Sequence, residues 1–316
     1  MSADTGSDVE ERSATGRRPD RRTVAIVVAV LVVVLVAVAY FGYRAVTGGE
    51  EETGGWQTVW REDFDGAKGQ PPSSSVWLLD TGTSYPGGAP QWGTGEIQTY
   101  TADPGNVQLD GDGHLQITAT RDQAGTWRSA RLESRRTDFQ PEPGGRLKVE
   151  ADIRVPDGGQ GYWAAFWMLG EPFRGNYVNW PMVGEIDIME FKGGVPADVY
   201  GTFHCGVAPG GPCNENNGIG GHDTSPDGPL HQDFHTYAIE WDRSTSPEAI
   251  RWYVDGRQFH QVTATDVDRA TWEQATDHGY FVLLNLAVGG AFGGPPDDST
   301  RPGRSMVVDH VTVSRR

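Results

Sequence analysis

Nine short runs rich in apolar residues dominate the chain after residue 113, and several alternate apolar with polar at a period of two. That period is the signature of strands that turn one face to a core. The runs are HLQITAT (114–120), GRLKVEADIRV (145–155), YWAAFWML (162–169), GEIDIMEF (184–191), DVYGTFH (198–204), FHTYAIEWD (234–242), AIRWYVDG (249–256), YFVLLNLAV (280–288) and SMVVDHVTVSR (305–315). Turn residues separate them, and in WYVDGRQFH the pair Asp255-Gly256 is a hairpin signal. Long amphipathic helices are missing from the pattern, and residues 265–276 have room for one short helix. Many antiparallel strands bury their apolar faces by packing as two sheets. The expected fold is therefore all-β, a two-sheet antiparallel β-sandwich or jelly roll. No linker, repeat or low-complexity tract interrupts 56–316, which reads as one domain.

The N-terminus has a different character. Residues 1–22 are polar and charged and read as a disordered tail. Thr23 to Tyr43 carry no charge, about the ~20 residues that span a bilayer as a helix. Arg17, Arg18, Arg21 and Arg22 precede this run, and Glu50, Glu51 and Glu52 follow it. The positive-inside rule then leaves 1–22 in the cytoplasm and the domain outside, anchored to the membrane through 23–43. The alternative is a cleaved secretory signal with Ala37-Val38-Ala39 at the cleavage site. Residues 44–55 read as a flexible linker. Outside the cytoplasm Cys205 and Cys213, which bracket the loop CGVAPGGPC, are expected to form a disulfide, with a metal pair beside His204 and His222 as the alternative. The net charge of −17 disfavours nucleic acid or an anionic lipid surface as a partner of the domain.

The chemistry concentrates in WPMVGEIDIMEF (180–191), where Glu185, Asp187 and Glu190 interrupt an apolar run. A buried charge without a partner is costly, so three acids in such a strand need a reason. Glu185 and Asp187 are two apart and share a face. Glu190 has the wrong parity, and one extra residue in a β-bulge around Ile188-Met189 restores it. All three acids then line one face while Ile186 and Ile188 keep the other. Two such carboxylates suit retaining glycoside hydrolysis, in which one attacks the anomeric carbon and the other protonates the leaving oxygen, with Asp187 between them splitting their pKa values. A calcium-binding or structural carboxylate cluster is the competing reading. The sequence holds 11 Trp, whose faces serve either as core packing or as platforms for sugar rings. Trp163 and Trp167 share one face, either core or cleft.

The string WPMVGEIDIMEF, with GYWAAFWMLG before it and VYGTFH after it, resembles glycoside hydrolase family 16, in the laminarinase-like branch with the bulged E-x-D-x-x-E signature. QWGTGEIQTYT, FHTYAIEWD, IRWYVDG, LLNLAVGG and VVDHVTVSR fall in the expected order, so the resemblance covers nearly all of 56–315. It implies a β-jelly roll with a concave substrate cleft, and an endo-acting, retaining enzyme for β-1,3- or mixed β-1,3/1,4-glucan. Carried over by position, Glu185 is the nucleophile, Glu190 the acid/base and Asp187 the helper. Trp163, Trp167 and Trp180 are cleft aromatics, His204 a polar neighbour of the acid/base, and Arg131 a cleft residue for a sugar hydroxyl or an ordinary surface ion pair. No cofactor is expected for catalysis. A structural calcium is implied, with Asp63 and Asp309 at the matching positions. Gly95, the loop Ala291–Gly294 and the cysteine-bearing segment between Phe203 and Leu230 depart from the usual pattern. Other readings of the same residues are a cell-wall transglycosylase, a β-galactanase and a non-catalytic glucan-binding module.

Overall fold

The computed structural model describes residues 55–316. The expected tail (1–22), membrane span (23–43) and all but the last residue of the linker (44–55) lie outside these. Among the described residues no helix is long and apolar enough to cross a membrane.

Two sheets pack face to face. The ten-stranded sheet has the order 257–263, 249–254, 235–242, 146–154, 304–315, 115–121, 127–129, 99–100, with 57–62 and 107–109 added alongside 304–315 and 115–121. The seven-stranded sheet runs 219–224, 198–204, 185–192, 162–170, 280–288, 131–134, 77–80. Pairing is antiparallel except for one short parallel contact between Thr99–Tyr100 and Trp127–Ser129. This is the expected two-sheet jelly roll.

The local reasons are visible in the sequence. Arg146–Arg154 alternates buried and half-exposed residues along its length, as a strand with one wet face must. Tyr280–Val288 is buried at every position, which its continuous apolar run requires. The hairpin at Asp255-Gly256 forms with both residues at positive φ (49° and 73°), the turn whose twist matches antiparallel strands. The short helix is Arg269–Thr276, and the Asp268 carboxylate accepts from the Thr271 N–H at its start. Between the sheets lies one large core in which Trp77, Trp241 and Trp252 are almost wholly enclosed.

Cys205 and Cys213 are joined, with Cα atoms 5.5 Å apart. Both are packed in the main core, so the bridge ties the loop between them to the interior.

Candidate active site

The acids are placed by a break in register. In the pairing of Glu185–Lys192 with Tyr162–Gly170, Asp187 faces Trp167 and Met189 faces Phe166, so Ile188 is the extra residue. The same break occurs against Asp198–His204. Ile186, Ile188 and Met189 all enter the core, and Glu185, Asp187 and Glu190 emerge together on the outer face. The bulge is stabilised from below. Trp252, on the opposite sheet, crosses the core and its Nε1 donates to the Asp187 carbonyl at 2.7 Å. Gly201 makes room for that indole: a Cβ at this position would lie 2.4 Å from the Trp252 ring.

Cross-strand neighbours set the surroundings of each acid. On one side Glu185 pairs with Leu169, Asp187 with Trp167 and Glu190 with Ala165. On the other side they pair with His204, Thr202 and Tyr200. Ala165, Trp167 and Leu169 form a second apolar cluster with Phe281, Leu283 and the half-buried Trp180, Tyr85 and Tyr177. This cluster is separate from the core, so Trp163 and Trp167 belong to the site face. Two indoles grip the outer acids. Trp180 Nε1 donates to Glu185 Oε2 at 3.1 Å, and Trp163 Nε1 donates to Glu190 Oε1 at 3.0 Å.

His204 differs from expectation. It sits opposite Glu185, with Nε2 3.3 Å from Asp187 Oδ2 and 3.9 Å from Glu185 Oε1. The antiparallel return brings the last residue of Asp198–His204 back to the first of Glu185–Lys192, and Tyr200 becomes the neighbour of Glu190. His204 is thus the partner of Glu185 and Asp187, not of Glu190.

Three carboxylates on one dry surface cannot all ionise at ordinary cost. Burial, then the charge of Asp187, raises the pKa of both Glu185 and Glu190, and Glu190 stands well above the carboxylate range. The cations are unevenly placed: the His204 imidazole touches Asp187 and Glu185, and Arg131 also favours the ionised form of Glu185. Glu185 is raised to about 8, and Glu190, which has an indole donor and no cation in contact, is raised well above the ordinary carboxylate range, so Glu190 is the better placed of the two to hold its proton.

Arg131 is neither a surface ion pair nor open to a ligand. Its side chain is 6% exposed, and its Nε donates to Asp80 Oδ2 at 3.1 Å while Nη2 donates to the Tyr85 hydroxyl at 2.6 Å. The guanidinium lies 4.8 Å from the Trp167 ring and 4.7 Å from the Trp92 ring, so it supports the aromatic floor from beneath. Trp167 is locked further, because its Nε1 donates to Asn285 Oδ1 at 2.7 Å and Asn285 donates to the Tyr100 hydroxyl at 3.2 Å. The expectation for Arg131 missed its enclosure because Asp80 and Tyr85 come from distant segments. Asn285 was legible in principle: it is the one polar residue in YFVLLNLAV, the same signal that exposed the three acids.

The two acids expected at a calcium site have different side-chain partners. Arg61 holds the Asp63 carboxylate, with Nε donating at 2.7 Å. Asp309 lies 2.8 Å from His310 Nδ1 and groups with Asp152 and His310. Asp63 joins no cluster of three metal-capable side chains among the described residues.

Two outer acids in unequal settings, one facing an imidazole and one with only an indole donor, and a third carboxylate between them, walled by indoles on the open face of an antiparallel sandwich, define the site of a glycoside hydrolase. The sequence profile described as "Glycosyl hydrolases family 16" matches residues 95–307. The chain is 32% identical to a glucan endo-1,3-beta-glucosidase of Cryptopygus antarcticus, over 78% of this chain and 85% of that one. It is 32% identical to glucan endo-1,3-beta-glucosidase A1 of Niallia circulans over 82% of its own length, but spans only 38% of that larger protein. The crystal structure of an endo-1,3-beta-glucanase from Streptomyces sioyaensis superposes with a TM-score of 0.81 at 53% identity, covering 84% of this chain and 99% of that one. The chain belongs to glycosyl hydrolases family 16.

Proposed function

We propose that the protein cleaves β-1,3-glucan, or mixed β-1,3/1,4-glucan, internally and with retention of configuration. Glu185 attacks the anomeric carbon, Glu190 protonates the departing oxygen and then activates water, and Asp187 steadies Glu185 through the shared His204. The observation that carries this reading is the unequal setting of the two outer acids on one face: Glu185 beside His204, and Glu190 buried without a cation in contact. The names of the similar proteins support the choice of glucan. The Arg-rich start, the uncharged run 23–43 and the Cys205–Cys213 bridge support a domain held outside the cytoplasm.

The test is the full chain on laminarin, barley β-glucan, lichenan and agarose, with products read by mass spectrometry. Internal cleavage of laminarin is the expected result. Products longer than the substrate would report transfer to a sugar acceptor. Cleavage of agarose alone would replace the glucan reading with a galactanase, and cleavage of none would favour a binding module.

Glu190→Gln separates the two roles. Hydrolysis of glucan is expected to fall by about 10²–10⁴, the usual worth of a positioned acid/base. An aryl glycoside whose leaving group needs no proton should still load Glu185 and then stall, visible as a burst and a mass adduct. In the unvaried enzyme the alkaline limb of activity follows loss of the Glu190 proton. The raised pKa therefore extends activity upward in pH, and Glu190→Gln should remove that limb from the burst step. Absence of an adduct would reverse the assignment.

A further inference from the structure

His204 has a second partner that the chemistry above does not use. Its Nδ1 lies 2.7 Å from Glu215 Oε2, and the other Glu215 oxygen accepts the Cys205 N–H at 2.9 Å. The Glu215 side chain is fully enclosed. It lies in the segment that departs from the family pattern, two residues after Cys213, and Cys205 follows His204 directly. The disulfide therefore clamps the two ends of the loop at the point where acid and imidazole meet. Gly210 and Glu215 also exchange backbone hydrogen bonds across this loop. Gly218, at φ 72°, lets the returning chain pass against the ring, since a Cβ there would lie 2.9 Å from His204 Nδ1.

We infer that Glu215 is a positioning residue for the glycosidase reaction, a buried carboxylate that fixes the orientation and the charge of His204 and, through it, the imidazole N–H that faces Asp187 and Glu185. The inference rests on the hydrolase reading. Both ring nitrogens face carboxylates, so both must donate, and the ring is an imidazolium. The charged groups that decide this are Glu185, Asp187 and Glu190 on one strand, Glu215 on the loop, and Arg131 from the far side of the floor. Burial works against charge on His204, but the hydrogen bonds to Asp187 and Glu215 outweigh it and hold its pKa well above the ordinary range. Without Nδ1–H the enclosed Glu215 would keep only the Cys205 N–H as a side-chain partner, so the contact favours a donating Nδ1 and with it the charged ring. Without Glu215 the ring is free to carry its single proton on Nδ1 at neutral pH. Nε2 would then point a lone pair at Asp187 and Glu185.

The test begins with the unvaried full chain. The His204 ring is followed by nitrogen-15 NMR, which needs no turnover and so stands apart from the fate of the hydrolase reading. Both ring nitrogens should remain protonated at pH 8, and a neutral ring at pH 7 would overturn the inference. Glu215→Gln should then move the His204 titration to lower pH by about one unit and lower kcat about tenfold, with KM changed less than about twofold. The control is Glu215→Gln added to His204→Gln. An effect routed through the ring vanishes in that background, and an undiminished loss there means that Glu215 serves only to hold the loop. If the unvaried chain cleaves no glucan, the hydrolase reading fails while the NMR result still decides the charge of the ring.

Discussion

Replacing Glu185 with Gln is expected to abolish turnover of glucan, a loss of about 10⁵-fold in kcat, or ~7 kcal/mol of transition-state stabilisation. The amide keeps the shape and still accepts from Trp180 Nε1, which now lies 3.1 Å from the carboxylate. What disappears is the atom that forms the bond to the anomeric carbon. The same change should leave stability equal or higher. Burial, then Asp187, raises the Glu185 pKa in the folded state. A carboxyl with a raised folded pKa keeps its proton while the unfolded chain loses it, so its contribution falls as pH rises from the unfolded range of ~4.3. The Gln variant escapes that loss, and its margin over the unvaried protein should widen between pH 5 and the folded pKa. Activity assays beside thermal melts at several pH values check both halves. A dead variant that also melts early would mark Glu185 as structural, and one that still turns over natural glucan would end its assignment as nucleophile.

What the sequence made legible was whatever a local pattern encodes. Parity alone required a bulge before Glu190, and the register breaks at Ile188. The Asp255-Gly256 turn, the short helix and the Cys205–Cys213 pairing are equally local. Alternation tells which face a side chain takes, but not which strand lies beside it. That is why Trp163 and Trp167 could be put on one face without knowing whether it was core or site. It is also why His204 was expected beside Glu190 while the antiparallel register carries it to Glu185. Arg131 was harder still, because its enclosure depends on Asp80 and Tyr85, 51 and 46 residues away. Glu215 lies in a loop without periodicity, where a charged residue ordinarily faces water. Its burial follows only from the covalent clamp beside it.

Trp252 carries the largest expected effect on stability. The side chain is fully buried between the sheets, packs at a tilt against His260 with ring centroids 4.9 Å apart, and satisfies the Asp187 carbonyl at the bulge. Trp252→Ala opens a cavity worth about 3–5 kcal/mol and leaves that carbonyl without its donor, a further ~1–3 kcal/mol. This approaches the whole stability of a typical domain, so the variant should be largely unfolded or expressed poorly. Trp252→Phe is the informative control, because it keeps most of the apolar volume and removes the indole N–H alone. It should fold with a Tm lower by several degrees. Its kcat should fall more than that modest loss suggests, because the carbonyl that the indole holds belongs to the bulge that spaces Glu185 from Glu190. Melting curves and kcat measured on the same sample of Trp252→Phe decide the point. A destabilised protein with undiminished kcat would show that the bulge keeps its geometry without help from the opposite sheet. A loss of kcat at near-native stability would show that the core residue sets the spacing of the acids.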